Sequence, residues 1–453
     1  MKFFLHKISI NGCENIDKKV SFQFCNSTIK KEMNYQSSNI KAIYGPNGSG
    51  KSAIITALYI YKRLIIDEDG LNDKYFSSLI KEVINKKNKI IDLEVIFLLE
   101  LKKGEYPLVF KHKIQIGLIN ETVLIKKESI FKLSGYSIKD EKFKQLVEIE
   151  DGEITFINKP DSAISDLVIK STFNLLNKYS VSVSFEKIIK FMANDKDRIV
   201  SEIEIAILAI KFLAANMVIE LLDEDSHKEY ITKKIFLEHH YKADSNDHSI
   251  ISQLIQNYNE DKYIFSLSVE DYDGISQDEY ENYKHNIMRL TKFIQIFKPN
   301  LLEIKIENKV DKDILYCKKI FVYDGYDIDI EFESTGIKKL VKLFGSLSEC
   351  ANGKIVFVDE IDANIHGVYF TKMIDFFKSN SLGQLCFTTH NIDAIEVLKE
   401  CDHSLDFLSN DSRVSNWIKN GNKSPLKKYI NGLIPYSTFN VDTIDFEILL
   451  DEE

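Results

Sequence analysis

Apolar and polar residues alternate in two short runs over residues 3–24, and the Asn11-Gly12 turn pair breaks them, which predicts a β-hairpin. The apolar run 40–44 predicts the next strand; a glycine-rich loop follows, and then a helix through Ala53-Ile54-Ile55-Thr56-Ala57-Leu58 to about Ile66. Residues 91–101, 106–118 and 121–133 are β-rich runs separated by Lys-Gly or Asn, so an antiparallel lobe is expected beside the first strand-loop-helix unit. Over residues 161–248 the spacing turns helical, as at Ile203, Ile207, Ile210 and Leu213, without a sustained heptad. Residues 270–276 read as an acidic surface loop, and 277–297 as a helix that Pro299 ends. Strands are expected at 302–307, 319–332 and 354–358, with a helix over 336–350; no solenoid-length repeat interrupts this order.

The 453-residue length allows two to four domains, and 44% hydrophobic with 28% charged residues is ordinary globular usage. No run reaches the roughly 20 apolar residues of a membrane span, and residues 1–10 lack a signal-peptide core, so a soluble cytoplasmic protein without a membrane partner is expected. Cys13, Cys25, Cys317, Cys350, Cys386 and Cys401 form no CxxC pair and no zinc-like cluster, which predicts reduced, mostly buried thiols. A formal charge of −10 gives no whole-chain signal for nucleic acid. Residues 1–63, however, carry ten Lys or Arg against three acids, while residues 440–453 carry six acids and no base, a solvated tail.

Gly45-Pro46-Asn47-Gly48-Ser49-Gly50-Lys51-Ser52 fits G-x-x-x-x-G-K-[ST] between an apolar strand and a helix. Glycines let backbone N–H groups wrap phosphate oxygens at the positive end of the following helix. Lys51 is then the β- and γ-phosphate contact and Ser52 a Mg²⁺ ligand, so ATP and Mg²⁺ are the expected cofactors. An apolar strand ending in Asp359-Glu360 supplies the matching acids: Asp359 for the metal, and Glu360 to take a proton from the attacking water. The strand Leu385-Cys386-Phe387-Thr388-Thr389-His390-Asn391 brings His390 to the same edge if the sheet is parallel, where it can sense phosphate. His239-His240 beside Glu238 read as a solvated helix face rather than a metal site.

Together GPNGSGKS, the FVDE strand, Ile361-Asp362-Ala363-Asn364-Ile365-His366 and the TTHN strand resemble the ATP-binding-cassette type of ATPase in structural-maintenance-of-chromosomes (SMC), RecF and overcoming-lysogenization-defect proteins. More closely, the order resembles stand-alone prokaryotic phage-defence ATPases of the abortive-infection, Septu and PARIS kinds. The likeness covers about 1–135 and 300–400, and extends to 429–435. It implies an α/β fold, a P-loop NTPase of the ABC/SMC type with an antiparallel β lobe and a helical insertion. The implied division is an N-terminal head part at 1–135, a mainly helical insertion at 136–300, a C-terminal head part at 301–400 and a terminal segment at 401–453.

The resemblance further implies a signature segment that completes the ATP site of another protomer. Glu333-Ser334-Thr335-Gly336-Ile337-Lys338-Lys339-Leu340 stands in that place, with Ser334 and Gly336 as γ-phosphate donors and Lys338 and Lys339 as added charge, although the Gly doublet of LSGGQ is absent. Asp362 resembles the residue that communicates across the dimer, and Gln115 is the candidate for the glutamine linking metal to lobe. The implied function is an ATP-hydrolysing switch of anti-phage defence. It forms a homo-oligomer of at least two chains around ATP and controls a separate effector, expected to be a nuclease. The alternative is a DNA-repair or chromosome-maintenance clamp with DNA as partner, and a third reading is a transporter's nucleotide subunit, disfavoured by the long separation of Lys51 and Asp359.

Overall fold

The computed structural model describes residues 1–158, 177–184, 201–221, 267–269, 272–311, 314–417 and 424–434. The His239-His240 pair, much of the 161–248 stretch and the acidic tail lie outside these. Among the described residues the strands form three sheets. A seven-stranded antiparallel sheet has the order β2 (Val20–Gln23), β1 (Lys2–Asn11), β4 (Ile90–Glu100), β5 (Leu108–Ile119), β6 (Thr122–Leu133), β7 (Phe143–Glu150) and β8 (Glu153–Ile157). A six-stranded sheet has the order β17 (Val414–Asn416), β16 (Leu405–Leu408), β3 (Ile40–Tyr44), β15 (Gln384–Thr388), β14 (Ile355–Val358) and β9 (Met217–Glu220), parallel except for β17. In the third, β12 (Ile314–Tyr323) lies between β10 (Asp273–Ser276) and β11 (Leu301–Asp311), with β13 (Tyr326–Asp329) folding back on β12.

The parallel strands β3, β14, β15 and β16 are buried at every position, as expected of a sheet covered on both faces. One face packs on helix α1 (Lys51–Ile66). The short α2 (Lys74–Val83) and α3 (Val181–Ser184) follow it, and α4 (Glu202–Ala215) shares the same core through Ile207, Ile210 and Leu213. That core also takes the inner face of the antiparallel sheet, from Phe3, Leu5, Ile8, Leu93 and Phe110. The hydrogen-bonding ladder between β1 and β4 is irregular between Leu5 and Lys7. There the Gln384 side chain takes over: its Oε1 accepts Leu5 N–H at 2.6 Å and its Nε2 donates to Leu5 O at 3.2 Å, which pins the two sheets together.

A separate core joins the small sheet to α5 (Tyr280–Phe297) and α6 (Thr335–Ala351). The far face of the parallel sheet is covered by α7 (Gly367–Asn380), α8 (Asp393–Leu398) and Tyr429 of α9 (Pro425–Ile430).

Several expectations change. Strands β7 and β8 carry the antiparallel sheet past residue 135, so the boundary drawn there falls inside one sheet. The helix expected as part of an insertion, α4, is a core layer. It is buried nearly all round, at Ile203 and Ala206 through Ala215 with Lys211 the one charged residue in that run, and Ser201 and Glu204 close both bonds of a capping box at its start. It leads into β9, a parallel strand missing from the sequence reading. The expected acidic loop at 270–276 contains β10, whose Asp273 is buried against Lys319 and accepts Tyr283 Oη at 2.7 Å. The single strand expected at 319–332 is a hairpin turning at Asp324-Gly325, where Gly325 has φ +85°. All six cysteines are free thiols, five of them buried.

Candidate nucleotide site

Parallel register fixes the site. Thr388 lies opposite Ile43 and Val358 opposite Phe387, so the chain leaves β3, β14 and β15 at one carboxyl edge, where open α/β sheets place their ligands. Leaving β3, residues 45–50 wrap the amino end of α1. Gly50 caps that helix at φ +97°, and a Cβ there would lie 2.8 Å from Asn15 Oδ1 and 2.9 Å from Ile16 Cγ1, so both backbone conformation and space require glycine. Gly48, at φ +75°, has the same backbone requirement.

Lys51 is the first residue of α1 and is buried; its Nζ donates to Gly45 O at 2.9 Å and to Pro46 O at 3.0 Å. Burial lowers its pKa, against the opposing pull of Asp359, Glu360 and Asp362. Ser49 is buried, and its Oγ has no hydrogen-bond partner among the described residues. An orphaned hydroxyl and a lysine folded back on loop carbonyls are what a phosphate cradle without phosphate would present. Asn47 and Ser52 face solvent, Ser52 from the first turn of α1.

At the end of β14, Asp359 is 2% exposed and its Oδ1 accepts the Thr388 hydroxyl at 2.5 Å. Thr388 Oγ1 also accepts the Glu360 N–H at 2.7 Å. One fully buried hydroxyl therefore aims the first acid and fixes the backbone of the second. Glu360 itself has φ +44°, a left-handed conformation that a non-glycine residue holds at some energetic cost, and its side chain is half-buried. His390 is exposed two residues beyond Thr388. Its pKa is lowered by burial and then by the Lys51 charge, while Asp362, Glu360 and Asp359 pull the other way. The structure thus brings Lys51, Asp359, Glu360, Asp362 and His390 into one electrostatic neighbourhood.

Ser52 and Asp359 are hard oxygen donors of the type Mg²⁺ takes. Two such donors can hold the ion only together with phosphate and water oxygens, as Mg²⁺ is usually held in nucleotide sites.

The candidate signature segment, 333–340, begins α6. Ser334 Oγ caps the helix by accepting Ile337 N–H at 3.4 Å, and a Cβ on Gly336 would lie 3.4 Å from Asn364 O. The two lysines differ from expectation. Lys338 donates to Glu331 O at 2.6 Å, and Lys339 turns back to donate to Asp359 O at 3.4 Å, so it braces the acid strand of its own chain. His366 caps α7 through Nδ1, accepting Val368 N–H at 3.4 Å. Gln115 is tied to Asp92 Oδ1 at 2.6 Å within the antiparallel sheet, which also holds Gln23 on β2 and Gln145 on β7.

Two site residues escaped the sequence reading. Thr388 carried a signal, being the polar residue that ends the apolar run 385–387; Asn15, whose Nδ2 donates to Gly48 O, carried none, because the β1–β2 connection lies 33 residues from that glycine.

The fold and site define the class: a mixed α/β domain with a P-loop at the carboxyl edge of a parallel sheet. Residues 221–396 match the family model described as "AAA domain, putative AbiEii toxin, Type IV TA system". That segment contains Ser334, Gly336, the Asp359-Glu360 pair and His390, and the P-loop at 45–52 precedes it. No curated protein matches the chain. Among solved structures, an Smc head bound to the C-winged helix domain of ScpA is 15% identical with TM-score 0.40, covering 91% of this chain and 98% of that one. An Smc head with an extended coiled coil, bound to the C-terminal domain of ScpA and derived from Pyrococcus furiosus, is 14% identical with TM-score 0.40, covering 95% and 98%. An Smc head with a coiled coil and joint from Pyrococcus yayanosii is 12% identical with TM-score 0.41, covering 94% and 99%. No helix among the described residues is long and apolar enough to cross a membrane.

Proposed function

We propose that the protein is an ATP-hydrolysing switch that closes into an oligomer around ATP and controls a separate effector in anti-phage defence. The observation that carries the ATPase reading is the convergence of Lys51, the unpartnered Ser49 hydroxyl, and the Asp359-Thr388-Glu360 triad on one sheet edge. Lys51 exchanges its loop carbonyls for phosphate oxygens. Ser52 and Asp359 hold Mg²⁺, which supplies charge neutralisation on the phosphates. Glu360 accepts a proton from the attacking water, and His390, kept neutral near pH 7 by its lowered pKa, donates or accepts a hydrogen bond at the terminal phosphate.

Assembly in trans is supported by apolar surface around the signature. Phe332 is 72% exposed immediately before it, and Val368 and Tyr369 are exposed where α7 begins. The proposal expects Glu360→Gln to retain ATP and accumulate the closed oligomer, and Lys51→Ala to bind none. Sedimentation with and without Mg²⁺-ATP is the test, and a Glu360→Gln protein that stays monomeric with ATP bound refutes assembly around nucleotide.

A second reading, a clamp on DNA, is favoured by one observation. On the outer face of the antiparallel sheet Lys7, Lys19 and Lys113 lie 3.9, 3.4 and 3.3 Å from the single carboxylate of Glu94, leaving excess positive charge. Stimulation of ATP turnover by duplex DNA would move the function to that reading; turnover indifferent to DNA keeps it with a protein effector.

A further inference from the structure

The connection between β1 and β2 is held against the P-loop. Gly12 N–H bonds Ile16 O at 2.8 Å, and Glu14 N–H donates to Val83 O at 2.5 Å. Glu14 O accepts Asn85 Nδ2 at 2.8 Å, and Asn15 reaches the Gly48 carbonyl. Glu14 itself is fixed at φ +49°. Although the residue is exposed overall, its carboxyl lies close enough to the Thr56 hydroxyl and to Asp359 to feel both: burial raises its pKa, the Thr56 hydroxyl lowers it and the charge of Asp359 raises it. Thr56 follows Ser52 by four residues on α1, so both lie on the same helix face. A carboxylate from the antiparallel lobe therefore stands beside the face that presents Ser52 to the phosphate site, with no lysine or arginine bonded to it among the described residues.

We infer that Glu14 is a specificity-determining charge of the nucleotide site, one that makes binding of the triphosphate depend on its metal. The inference rests on the ATP reading above. A carboxylate fixed here repels metal-free ATP, which carries about two more negative charges than its magnesium complex, and repels the complex about half as strongly. It acts as a charge at a distance, set beside Thr56 one helical turn beyond Ser52. It also gives the lobe a contact at the site, which Gln115, tied to Asp92, does not make.

The test titrates a fluorescent N-methylanthraniloyl ATP onto the full chain, in excess EDTA and in excess Mg²⁺, for the parent, Glu14→Gln and Glu14→Ser. One opposing charge at a partly exposed site is worth on the order of tenfold in affinity. Both variants are expected to tighten metal-free binding about tenfold and binding with Mg²⁺ only about threefold, because the complex carries about half the charge. The serine variant, which differs in size but not in charge change, separates electrostatics from a local packing effect. An unchanged ratio of the two affinities in both variants overturns the inference while leaving the ATP reading intact. A parent that binds no nucleotide with Mg²⁺ overturns both.

Discussion

Thr388→Val removes one hydroxyl and keeps the shape of the side chain. The Thr388 side chain has no solvent exposure, and Asp359, which receives its proton, is 2% exposed, so water cannot replace the lost donor. A hydrogen bond to a buried charged group is worth about 1.5–3 kcal/mol, and the Glu360 N–H loses its acceptor as well, at roughly 1 kcal/mol or more. The valine variant should therefore be about 3 kcal/mol less stable than the parent without nucleotide. Thr388→Ser keeps the oxygen and loses only a buried methyl, about 1 kcal/mol. Urea unfolding of the two variants side by side isolates the hydroxyl. Glu360, no longer held at φ +44°, should also relax, so the valine variant loses turnover by more than its loss of ATP binding. A valine variant that unfolds within about 0.5 kcal/mol of the serine variant refutes the claim that this bond organises the acid pair.

In the parallel sheet Lys41 and Asp406 form a buried ion pair, with Asp406 also accepting Asn416 Nδ2 at 2.5 Å. Asp406→Leu alone should cost about 3–5 kcal/mol in urea unfolding, and Lys41→Met with Asp406→Leu much less, because the double change leaves no unpaired charge. His6 is held neutral, its pKa lowered to about 4 chiefly by burial and further by His403 and Lys7. A folded pKa below the unfolded value of about 6.5 means that the unfolded chain binds more protons in between. Its contribution is therefore complete above about pH 6.5 and is lost as pH falls towards 4, amounting to about 3 kcal/mol. His6→Gln should flatten that part of the pH profile of the thermal midpoint, and an unaltered profile would contradict it.

Local sequence carried the strands and helices of the site well. The run 40–44 is a strand buried at every position, and Ser52, Asp359 and His390 were placed on one edge because apolar parallel strands end in polar residues there. What escaped has a common cause in long-range packing. Strand β9 is four residues long and follows a helix buried nearly all round, so periodicity marked neither its end nor its partner β14. Lys41 and Lys319 sit in strand patterns where a lysine reads as outward-facing, and only Asp406 and Asp273, 365 and 46 residues away, explain their burial. Lys339, read as charge for a partner's phosphate, braces Asp359 of its own chain because α6 packs beside the end of β14. Glu14 and Asn15 lie in a turn whose local pattern signalled only a hairpin.

Phosphate release from ATP at saturating Mg²⁺, by the parent and by Glu360→Gln at equal nucleotide occupancy, tests the central claim most directly. The account expects steady turnover by the parent and, in the variant, undiminished ATP binding with release reduced by at least about a hundredfold, the scale of a lost general base. Equal release by the two proteins would contradict the assignment of Glu360, and no release by a parent that binds ATP would contradict hydrolysis itself.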